Sequence, residues 1–293
     1  MIAAVSLLWG GSFMFNAIAV RELPPLTIVL VRVGGAALAL GLVMAALRVP
    51  IPAGLPWTDY AVMGVLANAI PFLLVVWAQG HITSGLAAVV NAATPICSVL
   101  IAHAARVERA TSQRLAGVML GLAGVAVLIG PAALEGDNIS TAGMLAVLAG
   151  TISYGLAALW GRRFQDVPPL VTSAVQLGFS TLILLPIAIA IDQPWTLKPP
   201  SWPTLGSLAA LALLSTALAF VIFFKVMAEA GPLNAMLVSL LVPVSATGLA
   251  VVVLGETLTS RQVIGGAIIA CALLVLDGRF VAWLKSRSKL LNR

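Results

Sequence analysis

The sequence predicts an all-α integral membrane protein with ten transmembrane helices, arranged as two inverted five-helix repeats. Three observations lead there. First, 61% of the 293 residues are hydrophobic and 9% are charged, with a mean hydropathy of +1.09. Soluble domains carry roughly 25% charged residues. A chain so short of charge cannot coat a water-facing surface, so lipid must be its solvent over most of its area. Second, the apolar runs are continuous and about 20 residues long, as a spanning helix requires. Barrel strands would alternate apolar and polar residues, and lipid admits only helices and closed barrels. Third, the chain resembles itself at a nearly constant offset.

The spans fall at 2–20, 26–47, 59–79, 83–105, 114–131, 141–162, 169–191, 204–226, 232–254 and 262–283. The first begins without a basic leader and is read as a true span rather than a signal peptide. Breakers mark the joints: Pro24-Pro25, Pro50 to Pro56, Pro131, Pro168-Pro169, Pro199-Pro200 and Gly231-Pro232. Cys97 and Cys271 fall inside apolar spans and are expected to be small buried hydrophobes rather than a disulfide.

Basic residues fix the orientation. With the N-terminus inside, the cytoplasmic segments carry twelve: Arg48, Arg106, Arg109, Arg114, Arg162, Arg163, Lys225, Arg279, Lys285, Arg287, Lys289 and Arg293. The outer segments carry three, Arg21, Lys198 and Arg261. This asymmetry predicts both termini in the cytoplasm of a bacterial inner membrane. It also explains the net charge of +6 as a set of topology determinants rather than a nucleic-acid surface.

A shift of 148 lays Phe72 on Phe220, Pro95 on Pro243, Glu108 on Glu256, Thr111-Ser112 on Thr259-Ser260 and Gly117 on Gly265. A shift of 144 lays Gly11 on Gly155 and Pro24-Pro25-Leu26 on Pro168-Pro169-Leu170. The halves divide as 1–135 and 136–293. Five spans per half is odd, so the second half enters the membrane in the opposite sense. Inverted repeats of this kind place a solute site near the midplane, at their interface.

Trp9-Gly10-Gly11-Ser12-Phe13 resembles the opening motif of EamA-type drug/metabolite transporters. Pro243 to Gly255-Glu256-Thr257-Leu258-Thr259, then Gly265-Gly266-Ala267, is similar to a second family signature. The first half echoes it as Pro95 to Glu108-Arg109-Ala110-Thr111, then Gly117, with Val107 where a glycine would stand. The resemblance covers essentially the whole chain, and within the family the chain looks most like the bacterial YddG-type aromatic amino-acid exporters. It implies a ten-helix bundle around a central cavity lined by spans one, three, four, six, eight and nine. Spans five and ten would pack outside, and access would alternate between the two sides.

Polar groups inside a membrane are costly and tend to face a cavity. Helical spacing places Trp9, Phe13 and Asn16 on one face of span one, and Asn68, Phe72 and Gln79 on one face of span three. Asn91 and Ser98 mark span four, Tyr154 and Trp160 span six, Thr216, Phe220, Phe223 and Met227 span eight, and Asn234 and Ser239 span nine. His81, at the turn between spans three and four, and His103 could each take up a proton near neutrality. Together these residues outline a substrate-binding cavity with apolar walls, suited to a neutral or zwitterionic small molecule such as an amino acid. The bland alternative for each is helix packing. Arg32 lies inside span two, where it either clamps a substrate carboxylate or snorkels to the interface. Pro95 and Pro243 are candidate hinges. Trp57, Trp195, Trp202 and Trp283 are expected as interfacial anchors.

No Walker motif, HExxH or GxSxG occurs in the sequence, so no enzyme, metal or cofactor is expected. The expected partners are a small-molecule substrate and the lipid bilayer, with the protein working as a monomer. Every Asp and Glu falls in a loop or toward a span end, which disfavours the alternative of a multidrug pump for aromatic cations. That alternative would need an acid in the cavity.

Overall fold

The computed structural model describes residues 1–108, 110–129 and 139–277, with side chains left out at positions 129, 139, 227, 228, 230–236 and 240. Arg109, Pro131, Glu135, Asp137, Trp283 and the basic C-terminal tail therefore lie outside the described residues, as do the side chains of Met227, Pro232 and Asn234. The described residues are helical and contain no strand. The helices are α1 (Ile2–Ala19), α2 (Pro25–Ala46), α3 (Trp57–Gln79), α4 (Ser84–Ala104), α5 (Ser112–Ile129), α6 (Ile139–Trp160) and α7 (Pro169–Ile191). Then come α8 (Trp202–Val226), α9 (Leu237–Leu254) and α10 (Ser260–Asp277). Among the described residues nine stretches are long and apolar enough to cross a membrane, and Ser112–Leu128 is a shorter apolar helix.

Proline and glycine set many of the boundaries. Pro25, Pro169 and Pro203 sit in the first turns of α2, α7 and α8, where a missing N–H leaves no helical bond unmade. Gly255 ends α9 at φ 68°, a left-handed conformation that suits glycine. At the equivalent loop of the first half the left-handed residue is Arg106, at φ 56°, so Val107 needs no glycine geometry.

Helical conformation is assigned from Ala219 to Leu254, across the expected joint at Gly231-Pro232, with separate spans on either side of it at Trp202–Val226 and Leu237–Leu254. A straight helix would hold Phe223 and Ser245 about 33 Å apart. Instead the Phe223 ring lies 4.9 Å from that of Trp9, while Ser245 Oγ donates to Ser6 O at 2.7 Å. The run therefore folds back between Val226 and Leu237. At the two candidate hinges the structure differs. α4 is interrupted by a turn at Ala92-Ala93, just before Pro95, whereas the helix continues through Pro243.

Buried clusters mix helices from both sides of residue 135, so the two stretches do not pack as separate bodies. One joins Val5, Val90 and Val147 to Val238, Val242 and Ile269. Another joins Ile28, Leu40 and Phe72 to Leu177, Leu184 and Leu211. On the outside, Leu38 and Leu42 are 72% exposed and Val252 is 83% exposed, which lipid tolerates and water would not. Trp57, Trp195 and Trp202 are exposed at helix ends or in a loop, as interfacial anchors would be. Cys97 and Cys271 are free thiols, but Cys271 is exposed rather than buried, because its face of α10 points outward.

α5 and α10 pack on each other with a reciprocal pattern. A Cβ on Gly117 would meet Leu276, and one on Gly265 would meet Leu128. Gly121 faces Ala272, and Gly124 faces Ile269. Each pair becomes the other when the residues are exchanged at an offset of 148. The Glu256 carboxylate accepts from Ser84 N and Gly85 N at the start of α4, whereas Glu108 follows the end of α4. The two equivalent loops thus lie at opposite ends of a helix about 30 Å long.

Candidate functional site

Two π-helical segments position the centre of the bundle. Val65–Ala69 interrupts α3 and Ala210–Leu218 interrupts α8. The five residues of the first fall on 213–217 under the shift of 148, so Asn68 and Thr216 occupy equivalent places. A π turn widens the helix and re-aims a side chain, and such turns are frequent at functional sites. Both side chains are fully buried.

Arg32 meets this centre. It is only 6% exposed, so it does not snorkel to the interface. Its Nε donates to Thr216 Oγ1 at 3.0 Å, and its guanidinium carbon lies 3.7 Å from the centre of the Phe72 ring. Thr216 Oγ1 donates in turn to Leu211 O at 2.8 Å, a bond across five residues that the π turn makes possible. Tyr154 packs against the same buried cluster as Phe72. Arg32 is the eighth of the 22 residues of α2, and an arginine in a spanning helix costs up to about 2.5–3.5 kcal/mol on insertion scales, so a buried charge here needs a reason. Four residues before Phe72 on α3, Asn68 Nδ2 donates to Ser180 Oγ at 3.2 Å, while Asn68 Oδ1 is buried with no donor. Gln176 Oε1, on α7, is likewise orphaned.

The remaining expected residues form several groups. Trp9 packs against Phe223 and, edge-on at 6.4 Å, against Phe220. Gln79 Nε2 donates to Phe13 O at 2.7 Å, with Gln79 Oε1 and Asn16 Oδ1 left without donors. Asn91 Oδ1 is also unpartnered. His81 lies tilted against Trp77, with ring centres 4.5 Å apart, and bonds its carbonyl at the Glu256 end. His103 accepts from Ala110 N at the other end. Ser98 donates to Thr94 O and, with Pro95, Glu108, Arg114 and Arg162, lines a groove of about 210 Å³ at the Glu108 end. Pro243 lines a separate, largely apolar groove of about 290 Å³ between α4, α9 and α10. Ser239, on α9, is partly buried and makes no hydrogen bond to a described residue.

Trp160 sits at the Glu108 end. Its Nε1 donates to Asp59 O at 3.2 Å, and Arg163 covers its ring at 3.9 Å. Arg163 also pairs with Asp59 at 3.1 Å. Trp160 therefore ties α6 to the start of α3. Trp160→Ala is expected to cut transport about threefold to tenfold at unchanged expression, read by solute uptake per mole of purified protein. Full activity would remove Trp160 from the substrate-binding residues expected from the sequence.

Carboxylates bind helix starts at the Glu256 end. Glu22 accepts from Ser201 N and Oγ, Asp192 from Thr27 N and Oγ1, and Glu256 from Ser84 N and Gly85 N. Each clasp joins residues from opposite sides of position 135. At the other end the cross-links are side-chain ion pairs, Arg162 with Glu108 and Arg163 with Asp59, and Glu108 also contacts Arg114. Sequence reasoning found none of the clasps, although Thr27 behind Pro24-Pro25 and Ser201 behind Pro199-Pro200 are ordinary helix-start signals.

The Ser201 hydroxyl, then its N–H, holds the Glu22 carboxyl below its usual value of 4.5. Arg114, by hydrogen bond and then by charge, does the same for Glu108. A depressed carboxyl pKa contributes stability that is present above the ordinary value and is lost as pH falls through the lowered one. Melting of the purified protein between pH 5 and pH 3 should therefore fall more steeply for wild type than for Glu22→Gln. Parallel curves would show that the clasp adds nothing.

The sequence model of the EamA-like transporter family matches residues 1–130 and 141–276. A relative from Salmonella typhimurium, 27% identical over 92% of this chain and 91% of its own, is named "Probable amino-acid metabolite efflux pump". YoaV of Bacillus subtilis, named an uncharacterized transporter, is 24% identical over 94% of both chains. YedA of Escherichia coli, named an uncharacterized inner membrane transporter, is 24% identical over 95% of this chain and 90% of its own. A crystal structure with 22% identity matches at a TM-score of 0.63 over 94% of this chain and 95% of that one, a likeness of fold.

Proposed function

This chain belongs to the EamA-like transporter family, and we propose that it exports small organic solutes, aromatic or other apolar amino acids foremost, by alternating access around a pocket at the bilayer midplane. The family and the names of the relatives support a multi-pass membrane transporter of small molecules rather than an enzyme. The finer reading has ten spans in two inverted repeats, 1–135 and 136–293, with both termini in the cytoplasm of a bacterial inner membrane and a single chain sufficient as a monomer.

The observation that carries this reading is the pair of π segments at equivalent places in α3 and α8, which brings Asn68 and Thr216 inward together. The reciprocal glycine contacts of α5 with α10, and the opposite ends taken by Glu108 and Glu256, support the inversion. Trp9, Phe13, Phe72, Phe220 and Phe223 supply apolar walls, and Asn16, Asn68, Gln79 and Asn91 supply buried acceptors without donors. His81, Ser98, Tyr154, Trp160 and Ser239 complete the proposed pathway toward its two ends, with Pro95 and Pro243 as its hinges. Such a surface suits a solute with an apolar body and few polar groups.

Uptake of labelled amino acids into liposomes containing the purified protein, with and without a pH gradient, tests the reading. Saturable uptake without a gradient is the expected result. Movement of quaternary aromatic cations but of no amino acid would overturn it.

A further inference from the structure

We propose that Arg32 is the subsite for a carboxylate on the transported solute, with Asn68 Oδ1 placed to accept from its ammonium group. The inference rests on the transporter reading above and deepens it to carboxylate-bearing solutes, amino acids among them.

Among the described residues, Arg32 is buried without a counter-charge. The described ion pairs involve Arg114, Arg162, Arg163 and Lys225, all on half-exposed side chains, and none reaches Arg32. What holds its guanidinium is neutral: the Phe72 ring face and the Thr216 hydroxyl. The hydroxyl takes Nε–H, and no hydrogen bond runs from the Nη fork to a described residue. A planar fork of N–H donors matches a carboxylate with two parallel bonds, and excluding water strengthens the match. The Phe72 face fixes the plane of the fork in advance, so little order is lost when the anion arrives.

Asn68 supplies the opposite need. It is completely buried, its Nδ2 is used by Ser180, and its Oδ1 has no donor. Phe72 and Asn68 lie four residues apart on α3, at the exit of its π segment, so the cation lacking an anion and the acceptor lacking a donor belong to the same stretch of that helix. An amino acid carries both missing partners on one carbon. An aromatic cation with no carboxylate would instead meet an uncompensated guanidinium, so the subsite selects against it.

The test uses purified full-length protein in liposomes and four labelled probes: phenylalanine, 3-phenylpropionate, phenethylamine and tetraphenylphosphonium. Arg32→Gln should raise the half-saturation concentration for phenylalanine and phenylpropionate by roughly tenfold or more, while phenethylamine moves no better in wild type than in the variant. Arg32→Lys, which keeps the charge but loses the fork, should recover part of the loss. Asn68→Leu should weaken phenylalanine and leave phenylpropionate unchanged, because only the first carries an ammonium. Ser180 keeps its bonds to Gly64 O and Gln176 O in that variant. Wild-type half-saturation for both acids in Arg32→Gln overturns the subsite, as does an equal loss for phenethylamine. If phenylpropionate depends on Arg32 while no amino acid moves, the subsite stands and the amino-acid reading falls. Should wild type carry only tetraphenylphosphonium, or none of the four, both fall. If Arg32→Gln does not elute as a single folded species, Arg32→Lys decides alone, and unchanged acid transport in it counts against the subsite.

Discussion

Gly10→Val is expected to prevent recovery of folded protein. A Cβ on Gly10 would lie 2.2 Å from Ser245 Oγ, 2.8 Å from Ala246 N and 3.1 Å from Ser245 Cβ. Ser245 cannot swing aside cheaply, since its hydroxyl is bonded to Ser6 O and Val242 O. The backbone nitrogen of Ala246 cannot move without α9. Ser6 and Gly10 are four residues apart and present a small-residue face, which is how membrane helices approach closely. Forcing even one methyl into this seam must part α1 from α9, and overpacking of this kind costs about 3 kcal/mol. Val adds two further methyls, against a total stability of about 5–15 kcal/mol. Gly11→Ala is the control: its Cβ would meet Phe15 Cε2 at an ordinary 3.5 Å. Fluorescence-detected size exclusion and melting of the detergent-purified protein read the outcome. A Gly10→Val variant with wild-type melting would show that the α1–α9 seam is not close-packed.

Phe223→Ala is expected to lower transport about tenfold or more while leaving expression near wild type. Phe223 and Phe220 flank Trp9, with ring centres at 4.9 Å and 6.4 Å. One such ring contact is worth about 0.5–1.5 kcal/mol beyond its buried area. Losing it frees the Trp9 indole, whose position closes the apolar side of the proposed pocket. Leu182→Ala on α7 is the control, since Leu182 is 66% exposed toward lipid. Equal transport in the two variants would take the Trp9 cluster out of the pathway.

Much of the fold was legible because lipid punishes exceptions. A helix must be apolar and about 20 residues long to cross, and its ends must carry the breakers and basic residues. The 148 offset survives because α5 and α10 use the same glycines on each other. The turn between α8 and α9 was expected at Gly231-Pro232, and the chain folds back between Val226 and Leu237 while its backbone stays helical.

The site was less legible. Trp9, Phe72, Phe220 and Phe223 follow from helical spacing, but π turns break that spacing at Asn68 and Thr216, and no residue type announces a π turn. The direction taken by Arg32 was undecidable from sequence, because the same long side chain reaches either the interface or the interior. Its inward course depends on Thr216, 184 residues away. The carboxylate clasps at Ser84, Thr27 and Ser201 are contacts of similarly long sequence separation, formed only once both halves are in place.

The most direct test of the account is the sidedness of two equivalent positions, Ala110 and Leu258, next to Glu108 and Glu256. In a variant with Cys97 and Cys271 replaced by alanine, single cysteines at these positions are probed with a membrane-impermeant maleimide on intact cells. The inverted repeat predicts labelling of Leu258→Cys from outside, and of Ala110→Cys only after the membrane is opened. Labelling of both from the same side would contradict it.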